Sequence, residues 1–382
     1  MSPESSTLAP AADPRVAPVA PVAPARAAAP ARVGAPARVA APARTAGVVG
    51  LGAVLPARVV ANAQIAARLG VSEEWIERRT GIRERRYAGA GERVSELAVR
   101  AGRAALADAG VDARELDMIL VATLASDEIT PATAPLVAHA LGAGRVAAID
   151  VGAACAGALA ALALATAWIE SGRARHVLVI GAEVLTRFVD FDDARTAPLF
   201  ADGAGALVLS ADAPGRIGPF VLGSDGAGAA MIQATRARGV LEMEGHETFL
   251  AAAQLLSSAT REVLELAGLT LADVDLFVYH QANSRILAAV AERLGLARER
   301  VFDCLQQLGN TSAASVPIAL GEAVRTGALE PGARVLLGAV GAGLVWGATV
   351  LTWERPAPAG ERRAPETSAL AGDGAPARRR ES

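Results

Sequence analysis

The sequence predicts an α/β protein built from two related halves. Three observations predict it: apolar strand-like runs alternate with longer helical patterns, one such unit occurs twice, and each copy leads to a loop of small residues. The chain has 382 residues and is 52% hydrophobic, ample for a large core and about two domains.

Residues 1–45 are rich in Pro, Ala, Val and Arg, with PARVGA, PARVAA and PAR recurring from Pro30. Such a tract buries little apolar surface and is expected to be disordered. It is Arg-rich and acid-poor, as transit peptides are, but its prolines break the amphipathic helix such a peptide needs. GLGAVLP, from Gly50, begins like a dinucleotide fingerprint, yet the third glycine is missing and Pro56 blocks the helix.

Arg103 onward reads RAALADAGVDARELDMILVATLAS, and Arg261 onward reads REVLELAGLTLADVDLFVYHQANS. The two align without a gap at an offset of 158, sharing Arg103/Arg261, Leu106/Leu264, Ala109/Ala267, Gly110/Gly268, Asp117/Asp275 and Ser126/Ser284. Each reads as a helix closed by Gly, a polar turn and an apolar strand. VAAIDVGAACAGALAALA and VFDCLQQLGNTSAASVPIAL then follow as strand, small-residue loop and helix. Matching Val146 to Val301 sets Cys155 opposite Asn310. The helix after Cys155 is expected over Ala156–Ser171, stopped by Gly172. ADGAGALVL and GAVGAGLVWG lead into strands, so their glycines are expected to allow close backbone approach. Halves are expected at 46–215 and 216–355, with a second Pro/Ala-rich disordered tail at 356–382.

Composition removes several chemistries. The chain contains no Lys, which excludes a pyridoxal Schiff base and a P-loop. The net charge of −3 divides into +3 for residues 1–45, +1 for 356–382 and −7 for the body between them. An acidic body argues against nucleic-acid binding. Val151–Ile169 is uncharged, but its Ala and Gly suit a helix buried in a soluble protein better than a membrane span. The two cysteines are too few for a disulfide framework, so a reducing, cytoplasmic setting is expected.

In open α/β sheets, ligands gather at the carboxyl ends of strands. Cys155 follows one such strand. A free Cys is among the most buried residue types, so alone it reads as core. Heading a helix, it is expected to gain thiolate character from the free N–H groups there. His280 ends DLFVYH and is followed by Gln281, Asn283 and Ser284. The other histidines, His139, His176 and His246, lack such a setting, and no pair has metal-ligand spacing. Cys304 is expected to be structural. Asn310 alone reads as a turn residue. If the halves pack about a pseudo-twofold axis, Cys155, His280 and Asn310 converge.

The phrases WIERRTGIRERR, DVGAACAG, ADGAGA, HQANSRI, GNTSAASVPIAL and GAGLVWGA, in that order over residues 46–355, resemble β-ketoacyl-acyl-carrier-protein synthase III of the thiolase superfamily. The resemblance implies the duplicated five-layer αβαβα thiolase fold, a dimer, and a Cys155–His280–Asn310 triad. It implies that Cys155 takes an acyl group from acyl-CoA. His280 and Asn310 would then hold the malonyl-carrier-protein thioester as CO2 leaves, with backbone N–H groups of Cys155 and Ala342 as oxyanion hole. Trp75 and Arg79 match CoA-binding positions, as does Arg195, one position late. Arg285 matches a carrier-protein docking residue. Further along that helix the family's basic pair reads Glu292-Arg293. Thr130 and Val340 stand where bulky Phe residues narrow the acyl pocket in relatives, so a starter larger than acetyl is expected. No metal or other cofactor is implied, nor membrane or nucleic acid. The rivals are an acyltransferase without decarboxylation and a non-catalytic scaffold for carrier protein or CoA.

Overall fold

The computed structural model describes residues 44–354. The expected tail over 356–382, and the expected head except Arg44 and Thr45, fall outside the described residues. Strand β1 (Gly47–Val54) opens the fold. Strands β2 (Arg58–Ala61) and β3 (Glu84–Tyr87) then pair around helices α1 (Asn62–Leu69) and α2 (Glu73–Thr80). Next come α3 (Val94–Ala109), β4 (Met118–Ala122), α4 (Thr133–Leu141), β5 (Ala147–Val151), α5 (Gly157–Glu170), β6 (His176–Val184) and β7 (Asp202–Ser210). Strand β8 (Arg216–Ser224) leads to the antiparallel pair β9 (Ile232–Ala234) and β10 (Leu241–Met243), then α6 (Gly245–Ala267) and β11 (Leu276–Tyr279). Helices α7 (Ser284–Leu294), α8 (Leu305–Leu308) and α9 (Ser315–Arg325) precede β12 (Arg334–Gly341) and β13 (Val345–Thr352).

Two mixed sheets result, ordered β1-β7-β6-β4-β5 and β11-β12-β13-β8. In each, the strand after the first helix of the repeat lies parallel to the strand after the buried helix: β4, following α3, beside β6, and β11, following α6, beside β12. Alternation along the strands separates the layers. In β4, Met118, Leu120 and Ala122 face α5 and α9, whereas Ile119 and Val121 face α3 and α4. In β12, Val335, Leu337 and Ala339 face the same central helices, and Leu336 and Val340 face α6 and α7. The outcome is helix, sheet, helix, sheet, helix: an α/β fold of five layers. Helices α5 and α9 are buried on most sides because they lie between two sheets, which explains the uncharged Ala/Leu face read at Val151–Ile169. No helix among the described residues is long and apolar enough to cross a membrane.

Close approach of layers explains specific small residues. A Cβ on Gly205 of β7 would lie 2.7 Å from Pro317 Cβ and 2.8 Å from Ile318 N, so α9 rests directly on the strand. Gly172, φ 74°, stops α5 as expected.

The structure corrects one pairing within the repeat. The 158 offset of the first segments returns at the site loops, where Ala154 and Ser312 both adopt left-handed φ (44° and 48°) and α5 and α9 begin at Gly157 and Ser315. Cys155 is therefore opposite Ala313, not Asn310, and Asn310 is opposite Gly152. The cause is the extra helical turn α8 between Val301 and the loop, which a gapless match from Val146 ignores. Val301 itself forms only an isolated bridge with Phe277, where the first half has β5.

Candidate active site

Cys155 sits in a 3-10 turn, Ala154–Ala156, at the start of α5. His280 is the first residue after β11, and Asn310 begins the turn into α9. All three line one cavity of about 540 Å³.

Each side chain is held by short-range geometry. The His280 N–H donates to the Gly338 carbonyl (2.7 Å), and its Nδ1 lies 2.5 Å from Ser315 Oγ. Gln281 clamps the turn that follows. Its Nε2 donates to the carbonyls of Tyr279 (2.8 Å) and Phe302 (3.2 Å), and its Oε1 accepts the Cys304 N–H (2.9 Å). Cys304 Sγ is 3.6 Å from the same oxygen, so this thiol is part of the support. Asn310 is fixed twice: its N–H donates to Leu199 O (3.0 Å), and its carbonyl accepts from Ala201 N–H (2.8 Å). Its Oδ1 accepts the Ser312 N–H (2.9 Å), which leaves the side-chain NH2 for the cavity.

Burial dominates the electrostatics. Desolvation raises the Cys155 thiol to about 11, against hydrogen bonding from Ser312 that favours the thiolate, and nearby Glu183 raises it further. Against the expected thiolate character, desolvation holds the Cys155 side chain toward the thiol. Desolvation likewise lowers His280 to about 3, so its ring is neutral throughout the physiological range. Glu183, on β6, is raised by burial to about 8, although Leu124 N–H and Thr123 Oγ1 donate to it. Sequence reasoning passed over Glu183, yet an acid inside the apolar run HVLVIGAEV is a readable signal.

The glycine turn after β12 abuts the nucleophile. A Cβ on Gly341 would lie 2.6 Å from the Cys155 backbone N, and Ala342 lines the cavity. Val340 lines it too. Thr130 is exposed and lies outside this cavity.

The mouth is basic and aromatic. Ser72 caps α2 through the Trp75 N–H (3.1 Å), with Glu73 and Glu74 in the first turn and Arg78 and Arg79 in the last. The Arg79 guanidinium carbon lies 4.4 Å from the Trp75 ring centroid, and both residues line the mouth. Asn283 joins this helix to α7: its Nδ2 donates to Arg79 O (2.9 Å), and its Oδ1 caps Arg285 N–H (2.8 Å). Arg285 stacks 5.4 Å from the Phe249 ring. Arg195 lines the mouth but is paired with Asp193 at 3.1 Å. Arg293 is exposed at the far end of α7 and outside the cavity. Leu241 and Met243 of β10 and Phe249 of α6 also line the cavity, and no motif marks them in the sequence.

A nucleophile, two orientable donors and a backbone turn around one cavity suit acyl transfer followed by carbanion chemistry. Residues 149–226 match the family model for 3-oxoacyl-(acyl-carrier-protein) synthase III, and residues 264–353 match its C-terminal counterpart. A β-ketoacyl-(acyl-carrier-protein) synthase III of Streptomyces coelicolor is 44% identical over 323 residues, 80% of this chain and 96% of that protein. The crystal structure of a 3-oxoacyl-(acyl-carrier-protein) synthase III from Aquifex aeolicus is 41% identical, with TM-score 0.79 over 81% of this chain and all of that one. A priming β-ketosynthase from a polyketide biosynthetic pathway is 39% identical, with TM-score 0.78 over 84% of this chain and all of that one.

Proposed function

Because the chain belongs to the 3-oxoacyl-(acyl-carrier-protein) synthase III family, we propose that Cys155, His280 and Asn310 divide its condensation chemistry between them. The protein is a condensing enzyme that joins an acyl-CoA starter to malonyl-carrier protein, initiating fatty-acid or polyketide synthesis. The observation that carries the assignment is the sharing of one cavity by a helix-start thiol, a buried imidazole and an amide whose NH2 is left free to donate.

Cys155 sulfur attacks the acyl-CoA carbonyl, and CoA leaves as the thiol with the proton from Cys155. Malonyl-carrier protein then enters. Its terminal carboxylate departs as CO2, and the electron pair passes into the thioester enolate. His280 and Asn310 donate hydrogen bonds to that enolate oxygen. The enolate carbon attacks the acyl-Cys155 carbonyl, and sulfur leaves as the thiolate, which takes a proton from solvent to restore the thiol as β-ketoacyl-carrier protein is released. The N–H groups of Cys155 and Ala342 hold the oxyanion formed at the attacked carbonyl. No step calls on a metal.

Trp75 and Arg79 are assigned to CoA adenine and phosphate, with Arg195 a weaker contributor because Asp193 already holds it. Arg285 and Arg293 are assigned to the acidic carrier protein. Charge reversal at Arg285 should raise KM for the carrier-bound substrate more than for acyl-CoA. Val340 at the cavity wall supports a starter larger than acetyl, and Thr130 acts only if a second subunit brings it to the pocket. Two copies are assigned to pair along β5, an edge strand that carries the exposed Ile149; Ile129, in the loop before α4, is 87% exposed. Light scattering at the mass of one chain would refute that pairing. Free thiols suit a cytoplasmic setting.

Asn310→Ala separates the two half-reactions. It should leave acylation of Cys155 nearly intact and cut condensation by about 10²-fold or more, the usual loss for one oxyanion donor. Normal condensation by this variant would overturn the assignment.

A further inference from the structure

The buried hydroxyl of Ser315 has two hydrogen-bond neighbours: His280 Nδ1 at 2.5 Å and the Gln281 backbone N at 3.3 Å. An amide N–H only donates, so Ser315 oxygen accepts from Gln281. The hydroxyl proton then has one acceptor within reach, Nδ1 of His280. If Nδ1 carried hydrogen instead, both Ser315 lone pairs would accept, from Nδ1–H and from the Gln281 N–H, and the Ser315 proton would be buried without a partner, which costs about 1–3 kcal/mol.

We propose that Ser315 is a positioning residue that fixes His280 as the Nε2–H tautomer, so that the imidazole enters the reaction as a hydrogen-bond donor and never as the base for Cys155. This rests on the condensing reaction assigned above and adds a residue to it. A neutral ring carries one N–H, and the bond made at one nitrogen decides which. Burial keeps His280 neutral, as its lowered proton affinity records. Nε2–H then joins the Asn310 NH2 as the second donor toward the enolate oxygen. In this state the ring has no free lone pair toward Cys155, so the thiol proton leaves by another route, such as the departing CoA sulfur. Ser315 reaches this position because α9 starts with it directly behind the turn that carries Asn310. One loop therefore delivers one donor and orients the other.

The test has two arms. Nitrogen-15 NMR of histidine-labelled wild-type protein, with the signal assigned by its loss in His280→Ala, should show a protonated Nε2 and an unprotonated Nδ1. Separately, Ser315→Ala should slow decarboxylation and condensation about 10–100-fold, the scale of loss when the hydrogen-bond partner that orients a metal-bound imidazole is removed, and leave Cys155 acylation within about twofold. Ser315→Thr, which keeps the hydroxyl, should recover most of the rate. A protonated Nδ1 in the wild type, or wild-type condensation by Ser315→Ala, overturns the proposal. Failure of the wild type itself to condense would instead overturn the assigned reaction, while the NMR result would still decide the tautomer.

Discussion

Gly341→Ala should disable the enzyme without touching any reacting side chain. The added Cβ would lie 2.6 Å from Cys155 N, 3.1 Å from Ala156 N and 3.2 Å from Ala153 O, and all three are backbone atoms. Ordinary van der Waals contact begins at 3.4 Å, so the Cys155 amide must retreat by about 0.8 Å. That amide is an oxyanion donor in the assigned mechanism. A displacement of about 1 Å in a positioned group costs about 10²-fold, and losing one donor costs about 10²–10³-fold. We expect single-turnover acylation and steady-state condensation both to fall about 10²-fold, with KM for acyl-CoA little changed. Overpacking of this kind also destabilises by about 1–3 kcal/mol, so thermal melting should confirm that the variant is folded at the assay temperature. Gly89→Ala is the control: a Cβ there meets nothing within 4 Å, and its φ is not left-handed. A folded Gly341→Ala enzyme retaining more than half of wild-type acylation would refute the placing of the Cys155 amide against this turn.

Two pH predictions follow from burial. Because the Cys155 thiol is pushed up to about 11, its alkylation by iodoacetamide should rise about tenfold per pH unit from 7 to 9; a plateau already at neutral pH would contradict this. Burial raises Glu183 in the folded state to about 8 from the ordinary carboxylate value of 4.5, so between these values the native protein holds a proton that the unfolded chain releases. Its contribution to stability is full below about 4.5 and is lost as pH rises through about 8, at about 1.4 kcal/mol per pH unit. Glu183→Gln should therefore flatten the fall in melting temperature between pH 5 and 9. An unchanged slope would show that the carboxyl ionises freely in the native state.

Much of the layering was legible because strand alternation and all-apolar helices leave marks in sequence. Met118–Ala122 and Leu276–Tyr279 read as strands, and Gly110, Gly172 and Gly268 read as helix stops, because φ above zero selects glycine. Register across the second site loop was not legible. LQQL forms one extra turn of helix whose length no local pattern announces, and the equivalence of Cys155 with Asn310 failed there. Cys155, His280 and Asn310 could be picked out by type and position. Their ionisation could not, because burial depends on layers that meet only after folding. Ser315 stood in the quoted phrase GNTSAAS beside Asn310, but its importance comes from a contact across 35 residues that no spacing rule supplies. Arg195 was visible as a cation; its pairing with Asp193 two residues away became evident only in the folded turn.

The central claim is that Cys155 carries the starter acyl group on its way to a decarboxylating condensation. Intact-protein mass spectrometry tests it most directly, using a panel of acyl-CoAs with wild type and Cys155→Ala, followed by malonyl-carrier protein. The account predicts an adduct of acyl mass on the wild type alone, with donors larger than acetyl preferred, discharged into a longer β-ketoacyl product. An adduct that malonyl-carrier protein cannot discharge, or no adduct with any donor, would contradict it.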